Sequence, residues 1–153
     1  MKVLRDATYT INNVIKFRGL LAISKMREMV EKMSEYIEAN EAIKSGELIT
    51  TTHVLYLEAR ISDMEIIMPI NKAIPSTTDF IFMPVFTLNN CVTTKHSGHP
   101  KLLPVTYTKL YHKAKGMGLE LEPPFYNVFN EDMNGILDLD TCEANIYVSA
   151  RLQ

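Results

Sequence analysis

Met64-Glu65-Ile66-Ile67-Met68-Pro69-Ile70 and Ala144-Asn145-Ile146-Tyr147-Val148-Ser149-Ala150 are two matched β-rich segments, and each closes a similar run of sequence. Residues 14–71 read strand, helix, strand, strand, and residues 91–150 read the same way again. The expected architecture is therefore α+β, a tandem strand-helix-strand-strand repeat in one domain. Repeat one covers about 7–71, a connector 72–90 and repeat two about 91–151. Neither copy can cover its own apolar face. Two such copies are expected to pair about a pseudo-two-fold axis, as an antiparallel sheet with two main helices on one side and a groove between the halves.

Local patterns carry this reading. Residues 7–22 hold β-branched and aromatic residues in partial alternation, a strand signal. From Ser24 the period changes, because Met26, Met29, Val30, Met33 and Ile37 fall on one stripe of a helix. Ser24 is the expected N-cap and Ser45-Gly46 the expected stop. Two strands should follow, at Glu47–Arg60 and Met64–Ile70, joined by a hairpin turn at Ile61-Ser62-Asp63. Phe80-Ile81-Phe82-Met83-Pro84-Val85-Phe86 is the most apolar patch, and Pro84 marks it as an edge strand or a packed crossing segment. Cys91–His96 opens the second copy. A helix from about Lys101 places Leu103, Tyr107, Leu110, Tyr111 and Ala114 on one face, and Gly116 and Gly118 end it. Pro123-Pro124 then sets the entry to a strand Phe125–Phe129, Asn130–Asp140 makes an acidic loop, and Thr141–Arg151 is the last strand.

At 153 residues, 46% hydrophobic and 22% charged, the chain is long enough to bury a sizeable core. A net charge of −2, with Lys and Arg scattered, argues against nucleic acid as the partner. Cys91 and Cys142 are too few to staple a secreted fold, and reduced cytoplasmic thiols are the simpler expectation. The charged start Met1–Asp6 resembles no signal peptide, and no apolar run reaches the ~20 residues of a membrane span.

The order His96-Ser97-Gly98, a helix carrying Leu103, Tyr107 and Leu110, Gly118-Leu119-Glu120, and Pro123-Pro124-Phe125-Tyr126-Asn127-Val128-Phe129 resembles the gyrase-inhibitor-like effector-binding family. The resemblance is loose over the whole chain and best over 91–150. It implies a tandem repeat that binds small molecules between its halves, as in the sensing domains of multidrug-responsive regulators. With no DNA-binding segment ahead of residue 7, a stand-alone module is expected. The chain departs from the family in two places. Where many members have a pocket carboxylate on the last strand, this sequence has Asn145, and it has no Trp. An unpaired carboxylate in an apolar pocket favours a cationic ligand, whereas Asn offers neutral hydrogen bonding. Glu143, two residues back on the same strand face, and Glu65, the counterpart of Asn145 in the first repeat, keep an acidic pocket open.

Tyrosine suits a pocket for flat organic molecules, having an apolar face and one polar tip, although most tyrosines are core residues whose hydroxyl reaches water. The expected ligand-binding residues are Tyr56, Glu65, Tyr107, Tyr126, Glu143, Asn145 and Tyr147, with Tyr126 and Tyr147 first. No catalytic residue, cofactor or metal is assigned. His96, His99 and His112 invite a zinc reading, but a turn holds two of them and no second pair closes a site. The expected function is non-catalytic binding of an amphipathic organic molecule, cationic if an acidic side chain lines the pocket. The competing reading is a protein-binding accessory or inhibitor acting through Phe80–Phe86, as a monomer or a homodimer. A minor one is small-molecule hydrolysis by a Glu base with a Tyr partner, which some relatives of the fold imply.

Overall fold

The structure, a computed structural model, describes residues 1–130 and 142–153. Its elements are β1 (Leu4–Ala22), α1 (Met26–Ala39), β2 (Ile49–Tyr56), β3 (Ile61–Pro69), β4 (Phe80–Ser97), α2 (Leu103–Gly116), β5 (Leu119–Phe129) and β6 (Glu143–Leu152), with a 3-10 turn before each helix. The chain divides into two compact units, Thr10–Phe86 and Met1–Tyr9 with Thr87–Gln153. Each unit is an antiparallel three-stranded sheet with one helix, which is the α+β repeat that the closing segments predict. In the first unit β3 pairs with both β1 and β2. In the second, β6 pairs with both β4 and β5.

The copies agree residue by residue. Both helices have 14 residues, and α2 begins 77 positions after α1. Asn13 in β1 and Asn90 in β4, also 77 apart, both sit at positive φ, 59° and 54°. Asn tolerates this left-handed conformation better than most residues because its short amide can bond locally. Arg18 pairs with Glu65 in β3 as Lys95 pairs with Asn145 in β6. Glu65 and Asn145 are thus equivalent positions, as the sequence comparison expects.

Register sorts each sheet into two faces, because partnered residues project to the same side. In the second unit Val92, Ile146 and Val148 share a face, and with Leu119 and Leu121 they pack against Leu103, Leu110 and Ala114 of α2. The corresponding face of the first unit carries Ile15, Phe17, Ile66 and Met68, all buried, as are Met33 and Ile37 of α1. The opposite face of each sheet is the polar one. Among the described residues no helix is long and apolar enough to cross a membrane.

Several boundaries differ from the sequence reading. The β2–β3 turn is Leu57–Arg60, and Ile61-Ser62-Asp63 belongs to β3, where Ile61 pairs with Tyr56, Ser62 with Leu55 and Asp63 with Val54. Ser24 lies inside the 3-10 turn rather than capping α1, whose N-cap is Lys25 without a side-chain bond. The helix stops before Ser45-Gly46, where the Asn40 amide bonds the Tyr36 carbonyl at 2.9 Å and Glu41 turns to φ 57°. Phe80–Phe86 and Cys91–His96 are one unbroken strand, and β5 runs through Pro123-Pro124 with a register shift between Glu122 and Tyr126. Of the expected acidic loop Asn130–Asp140, all but Asn130 lies outside the described residues.

Candidate functional site

The polar face of the first unit is built from alternate residues of three strands. Register aligns Lys16 and Arg18 of β1 with Asp63, Glu65 and Ile67 of β3, and these with Ile49 and Thr51 of β2. The bulge in β2 turns His53 onto this face as well. Glu65 is 6% exposed, yet both its oxygens are engaged. Oε1 lies 3.2 Å from Lys16 Nζ, and Oε2 lies 2.6 Å from His53 Nε2. Burying a carboxylate is costly unless it is paired and hydrogen-bonded, and here one ammonium and one imidazole meet that need. One pair of residues down the same face, Arg18 Nη2 lies 3.3 Å from Asp63 Oδ2.

The polar face of the second unit repeats the plan in different chemistry. Thr93 and Lys95 of β4, Glu143, Asn145 and Tyr147 of β6, and Tyr126 and Val128 of β5 are register partners. Lys95 and Glu143 form an ion pair at 3.2 Å, at the positions equivalent to Arg18 and Asp63. The Asn145 amide donates to Asn130 Oδ1 at 3.1 Å. Asn130 lies 77 positions after His53, so the His53–Glu65 pair of one copy is an Asn130–Asn145 pair in the other. Tyr126 and Tyr147 are direct cross-strand partners, and the Tyr9 ring lies 5.4 Å from that of Tyr147, tilted by 53°. All three tyrosines are half-buried.

The structure thus places Tyr126, Glu143, Asn145 and Tyr147 on one sheet face, and Glu65 on the equivalent face of the other unit. Tyr107 belongs elsewhere. It lies on the helix side, its ring stacked on Phe125 at 4.3 Å and its hydroxyl donated to Asn127 Oδ1. Burial pushes its pKa up to about 12 against the opposing pull of that hydrogen bond. Tyr56 is 50% exposed at the end of β2, beside Leu57 at the tip of the hairpin. Sequence reasoning missed Lys16 and His53. The available signal was His53 standing twelve positions before Glu65 across a hairpin, a spacing that strand pairing can bring together.

The remaining candidates have structural partners. His96 is buried, with Nδ1 2.6 Å from Thr106 Oγ1, so it ties the end of β4 to α2, and His99 Nδ1 accepts the Lys101 backbone N–H in the turn ahead of that helix. Phe86 is buried, while Phe80 and Phe82 are half-buried, Phe80 lying 5.5 Å from the Tyr36 ring. A cavity of about 230 Å³ is lined by Arg5, Asp6, Cys91, Leu119 and Arg151, among others, and by none of the expected ligand-binding residues. Burial pushes the Cys91 thiol up, with a hydrogen bond to Ser149 opposing.

No family model matches the chain, and no curated protein matches it. Solved structures do. The C-terminal domain of EcmrR is similar over 100% of both chains, with a TM-score of 0.71 and 16% identity. In a complex of EcmrR with DNA, the match covers 99% of this chain but only 58% of that one, with a TM-score of 0.74 and 17% identity. A hydrolase from Listeria innocua matches over 98% of this chain and 91% of its own, with a TM-score of 0.64 and 8% identity. SAV2435 bound to tetraphenylphosphonium matches over 98% and 93%, with a TM-score of 0.52 and 10% identity. At these identities the likeness is one of fold: this chain shares the fold of the EcmrR C-terminal domain and of SAV2435.

Proposed function

We propose that this chain is a gyrase-inhibitor-like effector-binding module that holds an amphipathic small organic molecule without transforming it. The ligand rests on the polar sheet face of the second unit, where the tyrosines give contact area and the paired Asn130 and Asn145 amides orient it. The observation that carries the reading is the crowding of Tyr9, Tyr126 and Tyr147 beside Asn145, half-buried on a sheet face away from the helix. Amphipathic rings in that setting suit a flat organic guest. The shared fold supports the class, since SAV2435 is a relative in fold with an organic cation bound. The hydrolytic reading has fewer observations behind it: Glu65 is engaged by Lys16 and His53, and Glu143 by Lys95.

Thermal shift against a panel of aromatic amphiphiles tests the proposal. A true ligand at a hundredfold its Kd adds about 2.7 kcal/mol, which raises Tm by roughly 5–10 °C for a chain of this size. The panel should contain at least one such compound, and its effect should fall when Tyr147 is changed to Ala. Flat melting curves throughout would contradict the proposal.

A second reading is a protein contact, and one observation favours it. Leu20, Ile23, Val54, Leu55, Tyr56 and Leu57 are all exposed, Leu57 at 77%, around the β2–β3 tip. Exposed apolar clusters mark interfaces. On this reading the contact moves from Phe80–Phe86 to the hairpin.

A further inference from the structure

Resting on the proposed binding of an organic ligand, we infer that the site takes flat heteroaromatic molecules whose edge carries an N–H donor beside a hydrogen-bond acceptor, read by the amides of Asn130 and Asn145. The Asn145 amide donates one N–H to Asn130 Oδ1 at 3.1 Å. A side-chain amide has one acceptor oxygen and two N–H donors, so that bond leaves Asn145 its oxygen and its second N–H, and leaves Asn130 both of its N–H groups. Among the described residues no other side chain engages either amide. The bond also restrains the plane of Asn145, so that its remaining donor and acceptor stand side by side in a set direction. An asparagine placed in this way reads a neighbouring donor and acceptor on a planar ring through two hydrogen bonds, as it does on the edge of adenine.

Aromatic surface lies next to the amides, and all of it belongs to the same compact unit. Tyr126 and Tyr147 face each other across β5 and β6, and the Tyr9 ring lies 5.4 Å from that of Tyr147. Asn145 stands two residues before Tyr147 on one strand, about 7 Å along the same face, a span that a flat two-ring guest bridges. Asn145 is half-buried and Asn130 exposed, so their unused groups are open to a guest. The nearby charges do not compete, because Lys95 is paired with Glu143 at 3.2 Å and polar recognition is left to the amides. Nor does the fold itself demand amides here, since the equivalent positions of the other copy hold the His53–Glu65 pair.

Three flat probes separate the possibilities in amide-detected NMR titrations: carbostyril, a benzo-fused lactam; N-methylcarbostyril, whose N–H donor is blocked; and quinoline, which keeps the rings without the amide. Wild type should bind carbostyril about tenfold or more tightly than either of the others, the worth of a bidentate contact. Asn145→Ala should bring the three affinities to within about threefold of one another by removing that contact. Tyr147→Ala should weaken all three alike and leave the preference for carbostyril in place, and the wild-type ratio needs no variant at all. If wild type binds N-methylcarbostyril or quinoline as tightly as carbostyril, the edge-reading inference fails while the binding reading stands. If the thermal-shift panel yields a ligand but carbostyril moves no resonance, this inference alone fails. If the panel is flat and none of the three probes binds, the binding reading fails and takes this inference with it.

Discussion

Glu65 illustrates how far a side chain's role depends on neighbours that are distant in sequence. Alone it reads as an acid in an apolar strand; with Lys16 and His53 it becomes the centre of a compensated cluster. Lys16→Met should lower stability by about 1.5–3 kcal/mol, the worth of a hydrogen bond to a charged group, as measured by urea unfolding. Adding Glu65→Gln should cost less than the sum of the single changes, because the partner left unpaired is removed too. Tyr107 gives a second test. Its folded pKa of about 12 lies above the ordinary value of 10.0, so the neutral phenol is favoured in the fold. That contribution is complete below pH ~10 and is lost as pH rises toward ~12, on the order of 2–3 kcal/mol in total. Tyr107→Phe should flatten this alkaline limb in pH-dependent denaturation. An unchanged limb would mean that Tyr107 titrates as it does in the unfolded chain.

At the scale of elements, the repeat was legible wherever alternation or helical spacing was strong. The closing strands, the stripe from Met26 to Ile37 and the Gly118 exit of α2 all have local causes. Positions set by a partner strand were not legible. The hairpin turn falls at Leu57–Arg60 because Tyr56 pairs with Ile61, and nothing in Ile61-Ser62-Asp63 announces that pairing. One signal was present and overlooked. Thr10-Ile11-Asn12-Asn13-Val14-Ile15 and Thr87-Leu88-Asn89-Asn90-Cys91-Val92 share a Thr, an aliphatic residue and a double Asn, 77 positions apart. The second Asn of each is the positive-φ residue. Asn13→Val and Asn90→Val should each cost about 1–2 kcal/mol, the penalty of a left-handed conformation for a branched side chain. Asn13→Gly should be nearly neutral. Chemical denaturation of the four proteins, including wild type, checks the order, and equal stability for Val and Gly would refute a backbone cause.

For the whole molecule, the fold class followed from two copies of one pattern, while the division of labour between copies did not. Sequence equates Glu65 with Asn145 but cannot show that each has a matched partner, His53 in one copy and Asn130 in the other. The two cysteines offer a global probe. Cys91 and Cys142 are 1% and 2% exposed, so a thiol reagent should label neither in the folded protein and both in urea, with the labelled fraction following the unfolding transition. The claim on which most depends is that the tyrosine-bearing sheet face receives a small molecule. Amide-detected NMR titration with triphenylphosphine oxide tests it most directly. The account predicts saturable shifts centred on Tyr126, Asn145 and Tyr147. Shifts confined to the cavity beside Cys91 and Arg151 or to the Leu57 hairpin, or none at all, would contradict it.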